Sequence, residues 1–295
     1  MTRILITGGT GFVGTEIRNG LADRELRLLV RDPSSLRDAG TAELAQGDVL
    51  DPATLGPAMK GVKSVIHLVA IIEESGENTF DRVIRQGTEN VLTAADNAGV
   101  KRFVHMSALG AQSNPALPYL NAKWESEEAV RRSGHDWTIF RPSVIFGPRD
   151  GFVNVLANLI RRAPVIPVVG SGASKFQPVA VGEVVEAFRA ALDDPASIGQ
   201  TYELGGGEIY TYQEMLDVIA THLGKQKPRV HLPVGLMRAV VTLSSPLPKS
   251  ARPPVTKEQL KMLAIDNCTD HSATADLIGR QPIALRDGLN YLNQS

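Results

Sequence analysis

Tyr119 and Lys123 stand four residues apart in Tyr119-Leu120-Asn121-Ala122-Lys123, a spacing that puts both side chains on one face of a helix. A phenol titrates near pH ~10 and is a poor acid–base group at neutral pH, but a neighbouring ammonium favours the phenolate and lowers that value. Tyr119 could then pass a proton to or from a carbinol oxygen while Ser107, in His105-Met106-Ser107-Ala108, hydrogen-bonds the same oxygen. Taken alone, Tyr-x-x-x-Lys is a frequent helix-surface pair. It gains weight from a second feature upstream, Thr7-Gly8-Gly9-Thr10-Gly11-Phe12-Val13-Gly14, which follows an apolar run and opens an amphipathic one. In that setting Gly8 makes the tight turn, Gly11 lets the backbone approach a pyrophosphate, and Gly14 lets helix pack on strand. The helix N-terminus offers its unpaired N–H groups to the phosphates.

These residues must be positioned by elements that the hydrophobic pattern predicts. Strands are expected over Arg3–Thr7, Leu26–Val30, Ala42–Gln46, Ser64–Val69, Arg102–Met106 and Trp137–Phe140, and helices over Phe12–Leu21, Pro52–Met59, Thr79–Ala98 and Tyr119–Ser133. Such alternation predicts an α/β fold, a Rossmann-type doubly wound parallel sheet with its ligand crevice at the carboxyl ends of the strands. Beyond Arg141 the alternation weakens and Pro and Gly cluster, which predicts a smaller mixed lobe. The expected division is a dinucleotide-binding domain over 1–141, with 176–204 returning to it, and a substrate lobe over 142–175 and 205–295. Helices are expected there over Gly182–Leu192 and Thr211–Leu223.

Composition excludes several classes. With 43% hydrophobic and 21% charged residues the chain is an ordinary globular one, and its net charge of -1 gives no global argument for nucleic-acid binding. The single cysteine, Cys268, can form neither an internal disulfide nor a cysteine-based zinc site. His67 and His105 lie inside apolar strands and read as core residues, so no metal site is expected. The start, MTRILITGG, lacks the pattern of a secretory signal, and no apolar run reaches the roughly 18 residues of a membrane span. A cytoplasmic protein is expected.

The end of the second strand selects the dinucleotide. A carboxylate there binds a ribose 2′-OH, whereas Val30-Arg31-Asp32 places a guanidinium first, and its planar fork suits a 2′-phosphate. NADP(H) is therefore favoured, with Asp32 leaving NAD(H), or use of both, open. Arg3 could contribute or be solvated. Asp48, in Gly47-Asp48-Val49, stands either where an adenine amino group would bind or as a turn residue.

The chain resembles the short-chain dehydrogenase/reductase superfamily, in its extended or atypical branch, through TGGTGFVG at 7–14, GDVLDP at 47–52, HLVA at 67–70, GTENVL at 87–92, RFVHMSALGA at 102–111, YLNAK at 119–123 and RPSVIFGP at 141–148. SALGA, the RDGFVN that follows RPSVIFGP, FQPVAVGEVVEAF at 176–188 and TKEQLKML at 256–263 are similar to the group around the nucleotide-binding accessory subunit of respiratory complex I. The resemblance implies Gly8, Gly11 and Gly14 at the pyrophosphate, Arg31 at the adenosine phosphate, Asp48 and Val49 at adenine, and Leu68, Val69 and Ala70 along the cofactor. It also implies Lys123 at the nicotinamide ribose, Pro142, Ser143 and Val144 near the carboxamide, and Asn90 either holding a proton-relay water or making a helix-packing contact.

Two kinds of function follow. One is an NADP(H)-dependent oxidoreductase acting through Ser107, Tyr119 and Lys123 on a carbonyl or alcohol, or an epimerase or dehydratase that oxidises its substrate transiently. The other is a nucleotide-holding accessory or assembly protein of a respiratory NADH:quinone oxidoreductase. Residues 222–262 carry eight basic side chains against one acid, a local charge of +7, beside the apolar stretch Leu232–Leu243. That combination suits peripheral contact with the inner face of a membrane or with a respiratory complex, and a lipid-like or quinone-like small-molecule substrate. The alternative is an apolar helix covering the substrate pocket with a solvated basic rim.

Overall fold

In the computed structural model, which describes residues 3–36, 38–244 and 255–294, the apolar runs become strands of one parallel sheet. β1 (Arg3–Thr7) and β2 (Leu26–Val30) are buried along nearly their whole length, as strands covered on both faces by helices must be. They join β3 (Glu43–Gln46), β4 (Val62–His67), β5 (Arg102–Met106), β6 (Asp136–Pro142) and β11 (Gln200–Leu204), numbered in chain order. The order is β11-β6-β5-β4-β1-β2-β3, all neighbours parallel, so the fold is a Rossmann-type doubly wound α/β sheet. Its direction of winding reverses between β1 and β4, where such sheets bind ligands.

α1 (Phe12–Gly20) follows the glycine loop, while α2 (Pro52–Met59), α3 (Gly87–Asn97) and α4 (Pro118–Arg132) bring Leu55, Val91 and Val130 onto the sheet residues Leu5, Val65 and Phe103. α6 (Val181–Asp193) packs on α1 so closely that a Cβ on Gly20 would lie 2.2 Å from Val185 Cγ1. Several boundaries shift by one or two residues, β6 among them (Asp136–Pro142 rather than Trp137–Phe140), and two differences bear on the site. β4 starts at Val62 and ends at His67 rather than running over Ser64–Val69, which leaves Leu68, Val69 and Ala70 as loop. The helix expected over Thr79–Ala98 opens with a π-helical stretch, Asp81–Gln86, before α3.

The chain divides into two units, the first comprising Met1–Pro142, Val181–Leu204 and Ala273–Arg280, the second Ser143–Ala180, Gly205–Ser272 and Gln281–Ser295. Residues 176–180, placed with the sheet by the sequence reading, belong to the second unit, and 273–280, placed in the lobe, belong to the first. An ion-pair cluster accounts for the latter: Arg280 reaches Glu183 at 2.9 Å and Glu186 at 2.7 Å, both on α6.

Within the second unit β7 (Ile145–Phe146) pairs with β10 (Val179–Ala180), β9 (Lys175–Phe176) with β12 (Tyr210–Thr211), and β8 (Ile166–Val169) with β13 (Arg229–Leu232). α5 (Val153–Arg162) is opened by buried Asp150, whose Oδ1 accepts the Phe152 and Asn154 N–H groups. α7 (Tyr212–His222) opens with a capping box between Thr211 and Glu214. α8 (Val234–Ser244) packs on α9 (Lys257–Met262), yet Leu236, Val240 and Leu243 on its outer side are 52%, 41% and 78% exposed. The helix is thus only partly buried, and Arg238 on it is exposed. Lys227 donates to the carbonyls of Ile160, Arg161 and Ala163 at the end of α5, Arg229 pairs with Asp217, and Lys261 pairs with Glu258. Three of the eight basic side chains are therefore engaged inside the unit, one of them with the segment's single acid, and Lys249 and Arg252 lie outside the described residues. No helix among the described residues is long and apolar enough to cross a membrane.

A Cβ on Gly14 would lie 2.2 Å from Gly8 O and 2.7 Å from Gly9 Cα. Gly14→Ala is therefore expected to destabilise the chain by about 1–3 kcal/mol through overpacking, read as a lower urea midpoint at unchanged slope; an unchanged midpoint would show that the loop is not packed in this way.

Candidate functional site

The glycine loop is built by close approach. Gly8 has φ +76°, and a Cβ there would lie 3.1 Å from the backbone of Leu68 and Val69, so the loop and the segment after β4 press on each other where neither could carry a bulkier chain. The Gly11 N–H bonds Gly8 O at 3.1 Å, and α1 then opens on Gly11 with no side-chain cap and no acidic residue in its first turn. First-turn N–H groups without a cap, carrying the positive end of the helix dipole, fit a pyrophosphate. Of the flanking side chains, Thr7 is buried and Thr10 exposed, with Phe12 and Val13 half-buried.

At the end of β2, Arg31 is exposed and its guanidinium has no partner among the described residues. Asp32 next to it caps a turn, accepting from Ser34 N at 2.9 Å and Ser34 Oγ at 2.6 Å, and these bonds hold its carboxyl below the usual range. Arg3 takes no part here: at the opposite end of β1 it binds Glu25 and Glu43. Asp48 accepts the Leu50 N–H at 2.9 Å, which makes it a turn residue at the end of β3, whatever else it binds. Asn90 is drawn to the same turn, its amide donating to Val49 O at 2.9 Å. That bond is a packing contact between α3 and the β3 loop, and no hydrogen bond joins Asn90 to Ser107, Tyr119 or Lys123 among the described residues.

α4 carries Tyr119 and Lys123 to the end of β5, where Lys123, 1% exposed, donates to Met106 O at 2.8 Å, one residue before Ser107. Ser107 is buried, its N–H bonded to Phe140 O at 2.7 Å, and its hydroxyl has no partner among the described residues. Tyr119 packs edge-on against Phe80 at 5.7 Å. The phenol is not acidified as its spacing from Lys123 suggests. Burial pushes it up to about 12, while burial pushes the Lys123 ammonium down to about 8 against the pull of Glu127.

Sequence reasoning missed what lies behind this pair. Glu127, buried one turn beyond Lys123, is held by Arg141 at 2.8 and 2.7 Å and by Arg131 at 2.8 Å. Its place on the stripe Tyr119, Lys123, Glu127 was visible as helical spacing; its arginine on β6 was not. His67 and His105 stack at 5.5 Å in the core. Thr88 donates its own proton to Ile84 O and so accepts from His67 Nε2, which leaves Nδ1 to accept from Thr7 at 2.6 Å. Burial pushes His67 down to about 3, so it is a neutral core residue. Pro142 ends β6, whereas Ser143 and Val144 belong to the second unit, and there the Ser143 hydroxyl and the Val144 N–H are both bonded to Asn267.

Lys123 has its pKa lowered from 10.5 to about 8, so between those values the unfolded chain binds the extra proton and stability rises with pH. Relative to Lys123→Met, the cofactor-free protein should gain about 3 kcal/mol of unfolding free energy from pH 8 to 10.5; parallel stability profiles for the two would contradict the buried charge.

Comparison with known proteins gives these residues their family. A family described as NAD(P)H-binding matches residues 8–157. The mitochondrial NADH dehydrogenase [ubiquinone] 1 alpha subcomplex subunit 9 of Arabidopsis thaliana is 30% identical over 246 residues, covering 80% of this chain and 61% of that protein. The chain thus spans less than two thirds of that relative's length. A ceramide reductase of Caulobacter vibrioides is 31% identical over 242 residues, covering 78% of this chain and 73% of that one. The fold matches an NADPH-dependent quinone oxidoreductase of Escherichia coli complexed with NADPH at a TM-score of 0.78 and 22% identity, over 98% of this chain and 99% of that one. With the glycine loop, the parallel sheet and this match over half its length, the chain belongs to the NAD(P)H-binding family of extended, short-chain-dehydrogenase-like proteins.

Proposed function

We propose that the protein is an NADP(H)-dependent oxidoreductase that acts on the carbonyl or alcohol group of an apolar substrate through Ser107, Tyr119 and Lys123. The observation that carries this reading is the Ser107 hydroxyl, buried and without a partner one residue from the carbonyl that anchors Lys123. An unsatisfied buried hydroxyl costs about 1–3 kcal/mol, and a substrate oxygen accepting from it recovers that cost. When bound, the dinucleotide supplies the hydride. Tyr119 keeps its proton through neutral pH, burial having raised it to about 12, so it can donate to a carbonyl oxygen and take the proton back when an alcohol is oxidised. Lys123 is a cation bonded at the end of β5, suited to hold ribose hydroxyls through the ammonium protons it does not give to Met106.

NADP(H) is preferred in this reading because the Arg31 guanidinium has no partner among the described residues and can meet a 2′-phosphate, whereas Asp32 Oδ1 already accepts from Ser34. The likeness to a complex I subunit favours a second reading, a protein that holds its dinucleotide without turnover.

NADPH oxidation in the presence of aliphatic carbonyl and quinone compounds separates the two. Tyr119→Phe is expected to lower turnover at least 100-fold while leaving the NADPH dissociation constant within about twofold; full activity in that variant would refute the assignment, and no turnover with any such substrate would leave the holding role. Arg31→Ala is expected to weaken NADPH about tenfold or more and NADH hardly at all in calorimetric titration, since a charge-assisted contact is worth about 1.5–3 kcal/mol. Equal losses for both would place the phosphate elsewhere.

A further inference from the structure

The second unit holds a cavity of its own, partly open to solvent and about 300 Å³ in volume, the space of roughly ten waters. Phe152, Leu156, Val169, Phe176, Met237 and Leu263 form most of the wall, and no charged side chain lines it among the described residues. The polar groups on the wall are few. Asn267 has its amide oxygen bonded to Ser143 and Val144, and Gln259 has its amide oxygen bonded to the Thr256 N–H. Tyr212 differs from both. It is 3% exposed, lines the cavity between Phe176 and the first turn of α7, and its hydroxyl has no partner among the described residues. Burial of the residue pushes this phenol up to about 12, so it keeps its proton, and its hydroxyl, which unlike that of Ser107 is not among the sealed polar atoms, can donate to an acceptor placed beside it.

We propose that this cavity binds a neutral carbonyl compound with an aliphatic or alicyclic body of roughly eight to twelve carbons, its oxygen accepting a hydrogen bond from Tyr212. The apolar wall excludes carboxylates and phosphates, because an ionised group moved here would lose its hydration without a counter-charge. The volume excludes a full-length lipid but admits one medium-length chain or a ring with a short tail. Met237 makes α8 part of the wall, which gives that helix a reason to be held in place although its outer side is exposed. The binding stands apart from turnover: an oxygen that accepts from Tyr212 is not one that Ser107 and Tyr119 would hold, so the proposal does not depend on the oxidoreductase reading.

Calorimetric titration of the full chain with 2-nonanone tests it, with NADPH titrated into the same preparation as the control for an intact first unit. One saturable site is expected. Tyr212→Phe, which keeps the ring, should weaken it roughly fivefold, the effect of one neutral hydrogen bond. Met237→Trp, which fills the cavity from an exposed helix, should abolish it, with circular dichroism confirming the fold, and nonanoate should bind at least tenfold more weakly than the ketone. Absence of saturable 2-nonanone binding in protein that still binds NADPH would overturn the inference and leave the oxidoreductase reading untouched. So would unchanged affinity in Met237→Trp, or equal binding of nonanoate; unchanged affinity in Tyr212→Phe would overturn the part given to the hydroxyl. Loss of NADPH binding and turnover with 2-nonanone binding intact would instead count against the oxidoreductase reading alone.

Discussion

An ammonium group removed from water at the end of a β-strand is an expensive thing for a small sheet to hold, and the first unit is arranged around doing so. Lys123 gives one proton to the Met106 carbonyl and faces Glu127 one helical turn away. Glu127 is itself buried and depends on Arg141 and Arg131. Removing Glu127 would leave the Lys123 ammonium buried without its counter-charge, a loss typically of about 3–5 kcal/mol for such pairs. That chain of charges ties α4 to β5 and β6, and it fixes the lysine beside Ser107.

The same economy of space governs the other side of the sheet's switch point. The Gly8 turn lies against the Leu68–Val69 backbone, and Gly14 lets the loop carbonyl of Gly8 sit where a Cβ would otherwise be. The uncapped start of α1 is therefore brought to the carboxyl end of β1 with no side chain of its own in the way. A dinucleotide phosphate would suit that place, which offers N–H groups and the helix dipole with no acidic side chain in the first turn of α1.

Much of this could be read from residue types. Strands covered on both faces are continuous apolar runs, so β1, β2 and β5 lie where their sequences put them, and a glycine pattern between strand and helix is legible because each glycine answers a steric demand. What could not be read depends on partners distant in the chain. The phenol of Tyr119 was expected to be acidified by a lysine at helical spacing, but its titration follows burial against Phe80, and Lys123 points its charge at a strand carbonyl instead. Asn90 has the residue type of a catalytic amide, yet a turn 41 residues earlier takes it. Segment 273–280 joins the sheet unit through an arginine whose two glutamates lie on α6, nearly a hundred residues away in sequence, a pairing no local pattern encodes.

The account stands or falls on whether a dinucleotide occupies the first unit and leaves again. Native mass spectrometry of the full chain measures both: after incubation with NADPH the account predicts one NADPH per chain, displaced within the mixing time by an excess of isotopically labelled NADPH. A spectrum with no adduct from either NADPH or NADH would contradict the site itself, and an adduct that resists exchange would contradict turnover.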